Sequence, residues 1–215
     1  MIEKYSDNQR FEIKPIKKLL KNHEIPLHKG LTVKEINKCE EIYGIRFPKN
    51  LKIMLMEFCP IQTTKKSGWY NWFDFSEENI KQIKKRIDWQ FEGLLFDVEQ
   101  NGFWLKEWGK FPKDMEKRLE MARRKLQDIP KLVPIFGHRY TTGNVDLKDN
   151  PVFSVYQTDV VYYGATLYDY FKIECEPKLE ERKKMNFRQP RGINLFWEAI
   201  IYGEYLDIDE LKTSK

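Results

Sequence analysis

Cysteine is scarce: Cys39, Cys59 and Cys175 are the only three in 215 residues, and they lie far apart. Without a C-x-x-C pair, neither a disulfide framework nor a structural zinc site is expected. Each thiol reads as a small buried hydrophobe in a reducing compartment. Histidine is equally rare, and His23, His28 and His138 show neither i, i+4 nor H-x-E spacing, so no metal is assigned. No apolar run approaches the roughly 18 residues that a bilayer demands. Met1 to Asp7 lacks the apolar core of a signal peptide, which makes a cytoplasmic protein the expectation. Ser154 has no Gly-x-Ser-x-Gly elbow, and Gly137 to Gly143 lacks the G-K-[ST] ending of a phosphate loop. Internal repeats and low-complexity segments are absent too. The sequence therefore assigns no catalytic residue, no metal and no cofactor.

What is present is a chain built to fold. Hydrophobic residues make up 41% and aromatics 14%, too many for a disordered polymer. The length suits one large domain or a domain with an appendage. The 38 Lys and Arg against 33 Asp and Glu leave a net charge of +5. These charges are interleaved, as in Lys113-Asp114-Met115-Glu116-Lys117-Arg118, which reads as solvated helix faces. A nucleic-acid stripe needs clustered, unopposed cations, so no direct nucleic-acid contact is expected.

The N-terminal third has helical periodicity. Phe11, Ile13, Ile16, Leu19 and Leu20 predict one helix up to Asn22. Thr32-Val33-Lys34-Glu35 has the form of a capping box opening a second helix that stops at Gly44. Pro48 suits the first turn of a third, ending before Pro60. A polar loop from Gln62 to Asn71 leads into Trp69-Tyr70-Asn71-Trp72-Phe73, and Ser76-Glu77-Glu78 caps a helix to about Trp89. Leu94–Glu99 and Phe103–Leu105, joined by Gln100-Asn101-Gly102, predict a β-hairpin. A helix over Lys113–Asp128 precedes strands at Leu132–Phe136, Val152–Val155 and Val160–Tyr163, with Gln157-Thr158-Asp159 turning the last two. Helices through Phe171 and over Ile193–Tyr202 follow. The fold class is α+β: a single antiparallel or mixed sheet flanked by helices, with the 94–105 hairpin in that sheet.

Three blocks, in order, carry a resemblance. Leu31-Thr32-x-x-Glu35-Ile36 with Glu40-Glu41-x-Tyr43-Gly44-Ile45-x-Phe47-Pro48-x-Asn50-Leu51-Lys52 is similar to the N-terminal signature of the SMI1/KNR4 family, the SUKH superfamily. Glu92-Gly93-Leu94-Leu95-Phe96-Asp97-Val98 with Phe103-Trp104-x-x-x-Trp108-Gly109 resembles its central hairpin. Leu132-Val133-Pro134-Ile135, Asn150-Pro151-Val152-Phe153-Ser154-Val155 and Asp159-Val160-x-Tyr162-Tyr163-Gly164 resemble its C-terminal strands. The likeness divides the chain into an N-terminal helical extension, 1–30, a core domain, 31–172, and a C-terminal helical extension packing on the core, 173–215. It implies a binding protein that is not an enzyme. Many bacterial members are immunity proteins that neutralise a cognate polymorphic toxin domain, often a nuclease. Fungal members are scaffold-like regulators of cell-wall synthesis, which supplies the alternative role here. Nuclease-neutralising members tend to be acidic, and this chain departs from them in being mildly basic.

For a partner surface, the sequence offers Trp69 and Tyr70 as anchors if they lie at the loop tip. Trp72 and Phe73 are expected to plug the core. Asp74, Glu77 and Glu78 would supply local acidity, or simply an acidic helix start. His138 and Arg139 leave a strand end as polar candidates. Asp97, Glu99 and Asp159 are the carboxylates an unrecognised hydrolase would use. Asp97 and Glu99 would share one face of a strand, and Asp159 reads as an ordinary turn residue.

Overall fold

Helix α1, Asp7–Asn22, turns Ile13, Ile16 and Leu20 inward and packs on α3, Lys49–Glu57, and α6, Leu167–Cys175. The computed structural model describes residues 7–61, 68–147, 150–176, 178, 180–181, 189, 192 and 195–206. The polar loop 62–67 and most of the charged stretch 176–184 thus lie outside the described residues.

Helix α2, Val33–Tyr43, opens with the expected capping box: the Glu35 amide donates to Thr32 Oγ1 at 3.3 Å, and the Thr32 amide to Glu35 Oε2 at 2.7 Å. It ends at Gly44, whose φ of +60° suits a residue without a Cβ. Glu40, almost fully buried, accepts from the Phe47 amide at 3.0 Å and meets Arg46 and Lys52 at 3.2 and 3.5 Å. The acid in the N-terminal signature is thus a strut for the turn between α2 and α3.

A two-stranded antiparallel sheet, β1 Leu27–Lys29 with β2 Phe58–Pro60, was not legible. Three-residue strands are too short to show alternation, and Pro60 reads as a breaker. The chain then passes so close to α3 that a Cβ on Gly30 would fall 1.8 Å from the Met56 carbonyl oxygen.

The central hairpin is the main correction. Residues 94–98 belong to helix α4, Glu77–Gln100, which begins at Ser76 as expected but runs eleven residues beyond Trp89. Ile83, Ile87, Gln90, Leu94 and Asp97-Val98 are all buried along one stripe at helical spacing. Its last two turns are apolar enough to imitate a strand. Asn101 and Gly102, the latter at φ +68°, end the helix and do not turn a hairpin. Phe103, Trp104 and Leu105 follow as buried, mostly non-repetitive chain into a 3₁₀ turn, Lys106–Trp108. Helix α5, Met115–Gln127, is capped by Asp114.

The larger sheet is an antiparallel meander, β3 Val133–Phe136, β4 Arg139–Thr141, β5 Val152–Tyr156 and β6 Asp159–Gly164, in that order. The β5–β6 hairpin matches the sequence reading, Tyr156 facing Asp159 across the turn. β4 was not anticipated, and its three residues follow β3 after a two-residue turn. Thr166 caps α6, and a last helix, α7 Leu195–Ile201, buries Phe196, Trp197 and Ile200. The class is α+β as expected, with the strands shared between two small antiparallel sheets.

Two apolar clusters form the core. One gathers α1, α2, α3, α6, Trp69 and Trp72; the other gathers α5, α7, Trp104 and the Tyr140–Phe153–Tyr162 side of the larger sheet. Helix α4 enters both, giving Ile83 and Ile87 to the first and Leu94 and Val98 to the second. Cys39 and Cys59 are buried, Cys175 is half-buried, and none of the three is in a disulfide. Burial pushes the Cys39 and Cys59 thiols up to about 12, so both stay protonated at neutral pH.

Candidate functional site

Residues 68–70 are stitched to the β3–β4 turn. The Gly137 amide donates to the Gly68 carbonyl at 2.8 Å, and Trp69 bridges to Phe136. Gly68 sits at φ +76°, with the Phe136 ring 2.9 Å from where a Cβ would stand. The Trp69 ring lies 4.7 Å from Phe136 and 6.1 Å from Phe171, and the residue is only 7% exposed. It is a core plug, not a loop-tip anchor. Tyr70 is half-buried, its hydroxyl donating to the Gly137 carbonyl at 2.6 Å, and burial raises its pKa. Trp72 is buried and Phe73 packs behind it, as expected.

One side of α4 stands across from this loop. Gln82, Arg86 and Trp89 follow helical spacing, with Lys85 beside them. The facing wall is His138, in the β3–β4 turn, and Tyr156, at the end of β5. Between the walls is an open groove of about 610 Å³. Its contacts form a chain. The Arg86 guanidinium lies 4.9 Å from the Trp89 ring centre, Trp89 meets Tyr156 edge-to-face at 5.4 Å, and His138 meets Tyr156 at 6.5 Å. The Arg86 carbonyl accepts from the Tyr140 hydroxyl at 2.9 Å, fixing that turn of α4 to the sheet. Burial, then the Arg139 and Arg86 charges, lower the His138 pKa against a weaker opposing effect of Asp159. The imidazole is therefore neutral at pH 7.

Of the residues singled out beforehand, the groove brings together Trp69, Tyr70 and His138. Glu77 and Glu78 are exposed on the first turn of α4, where Gln82 Nε2 donates to Glu78 Oε1 at 2.8 Å. Asp74 is half-buried and accepts from the Ser76 amide at 2.9 Å, shaping the approach to that turn. Arg139 points elsewhere. It donates to Ser154 Oγ at 2.6 Å, lies 3.8 Å over the Tyr163 ring and pairs with Glu174 on α6 at 3.5 Å. Lys85, Arg86, Trp89 and Tyr156 were missed. Helical spacing places Gln82, Arg86 and Trp89 along one flank of the apolar stripe, but only the fold shows that a second wall faces them.

Asp97 and Glu99 do not share a face, because both lie on a helix: Asp97 is 2% exposed and Glu99 is exposed. The Asp97 carboxylate accepts from the Thr158 amide at 2.9 Å, from the Thr158 hydroxyl at 2.7 Å and from Asn101 Nδ2 at 2.6 Å. Its geometry is that of a clasp on the β5–β6 turn. Gly93, one turn earlier, lets Gln157 approach so closely that a Cβ would stand 3.1 Å from its Cα. His28 stacks on Phe73 at 3.9 Å, and among the described residues no group of three His, Cys, Asp or Glu could hold a metal ion.

Comparison with protein-family models, curated proteins and solved structures gives no match.

Proposed function

We propose that this chain is a cytoplasmic binding protein of the SMI1/KNR4 immunity type, which neutralises a cognate toxin domain by covering its active site. The observation that supports this reading is the groove between α4 and the sheet. The Tyr140 hydroxyl ties the Arg86 turn of α4 to the sheet, the lining mixes aromatic rings with cations, and Tyr156 stands 56% exposed at its edge. Exposed aromatic and arginine side chains beside a preformed concavity are what protein interfaces use as anchors. The sequence blocks around the groove's supports, from Leu31 to Gly164, are those that resemble the family.

Neutralisation by cover is stoichiometric. With the toxin domain encoded beside this gene, one equivalent should abolish activity without added metal or cofactor. Trp89→Ala with Tyr156→Ala should weaken the complex at least tenfold in titration calorimetry, with little change in melting temperature. Inhibition at sub-stoichiometric protein would point to turnover and defeat the reading. Unchanged affinity in the double variant would move the interface off the groove.

A further inference from the structure

The groove's charge is one-sided. Among the described residues Lys85 and Arg86 line it and no carboxylate does, and His138 is neutral at pH 7. Along α4 the sign changes: Glu77 and Glu78 occupy the first turn, and Lys81, Lys84, Lys85 and Arg86 follow over the next two. A concavity of about 610 Å³ is of the size that takes a few side chains, not a whole domain.

We infer that the groove receives an acidic segment of the partner protein, with carboxylates on Lys85 and Arg86 and aliphatic stems on Trp89 and Tyr156; this deepens, and rests on, the binding role proposed above. Arg86 is preorganised for the task. The residue is half-buried and its guanidinium is held over Trp89, so less side-chain freedom is lost when a carboxylate docks on it. The acidic first turn of α4 repels a segment laid the wrong way, so the charge gradient along the helix sets orientation as well as affinity. Single-stranded nucleic acid, the other anionic polymer, needs open ring faces for successive bases. Here Trp89 is engaged by Arg86 and meets Tyr156 edge-to-face, which favours carboxylates over bases. Such a docking mode differs from mimicry of nucleic acid, because the contact it seeks on the partner is itself negative.

The test uses the purified full chain and three fluorescein-labelled probes: a Glu-rich peptide with interspersed Leu, the same peptide with Gln for Glu, and octathymidylate. Fluorescence anisotropy should show binding of the Glu peptide at low salt, at least tenfold tighter than the Gln peptide and weakening as salt rises. Lys85→Glu with Arg86→Glu should abolish that binding, and Glu77→Gln with Glu78→Gln should strengthen it, both with melting temperatures near that of the parent. Equal binding of the Glu and Gln peptides, no binding of either, or displacement of the Glu peptide by octathymidylate would overturn the inference. Toxin neutralisation, measured separately, distinguishes the two proposals. If neutralisation survives while the Glu peptide fails, only the acidic-segment inference falls. If the peptide binds as expected but no toxin is neutralised, only the immunity reading falls.

Discussion

Replacing Trp69 with alanine removes a ring packed between Phe136 and Phe171, and we expect it to cost about 3–5 kcal/mol of stability in urea unfolding. A loss below about 1 kcal/mol would return the ring to the surface. Its neighbour Tyr70 lies half in the groove, so adjacent aromatics divide between core and surface. The sequence could offer both as candidates but not separate them, because burial depends on Phe136, 67 residues beyond Trp69. His138 carries a second residue-scale prediction. Tyr156 on β5 meets its ring edge-to-face, the charges of Arg139 on β4, Arg86 on α4 and Asp159 on β6 act on it, and its pKa lies below that of an unfolded-chain histidine. The unfolded state therefore binds a proton first as the pH falls. His138 favours the fold above the unfolded value of about 6.5, and that contribution is lost as pH falls through the lower folded value. Melting temperature should decline from pH 7 to pH 5, and His138→Gln should flatten that decline. An unchanged slope in the variant would remove His138 as its source.

At the scale of elements, α4 decides how the rest is arranged. Its N-terminal half is clear in the sequence, where Ser76 and two acids mark the start. The C-terminal half is ambiguous because a helix embedded in a core carries long apolar runs, as a central strand does. Gly93 and Gly102 deepen the ambiguity: one looks like a break and the other like a hairpin turn. The structure uses them for a close helix–turn approach and a helix end. Local signals, such as the Thr32 box, the Ser76 cap and the β5–β6 turn, were legible because they depend on residues three or four apart. Pairings such as β1 with β2, or Asp97 with Thr158, depend on contacts across 29 to 61 residues and leave no local mark. Asp97→Ala should orphan the half-buried Thr158 amide and hydroxyl and cost about 1–3 kcal/mol by chemical denaturation, without changing helix content by circular dichroism. Should the variant be as stable as the parent, the clasp contributes nothing.

On the scale of the whole molecule, the two apolar clusters share α4 and the larger sheet, so neither is expected to melt alone. Tryptophan fluorescence, with Trp69 and Trp72 in one cluster and Trp104, Trp108 and Trp197 in the other, should trace the same transition as far-ultraviolet circular dichroism. Two separated transitions would divide the chain into independent units. The α+β class was legible from the order of helices and strands. The groove was not, because it arises where one flank of a long helix meets two turns of a sheet. The clasp formed by Gly93, Asp97 and Thr158 holds those walls together from outside the groove. Lys85, Arg86, Trp89 and Tyr156 can therefore be exchanged at little cost to the fold, since the frame that fixes their spacing is made by other residues. The lining of the groove can diversify without renegotiating the fold.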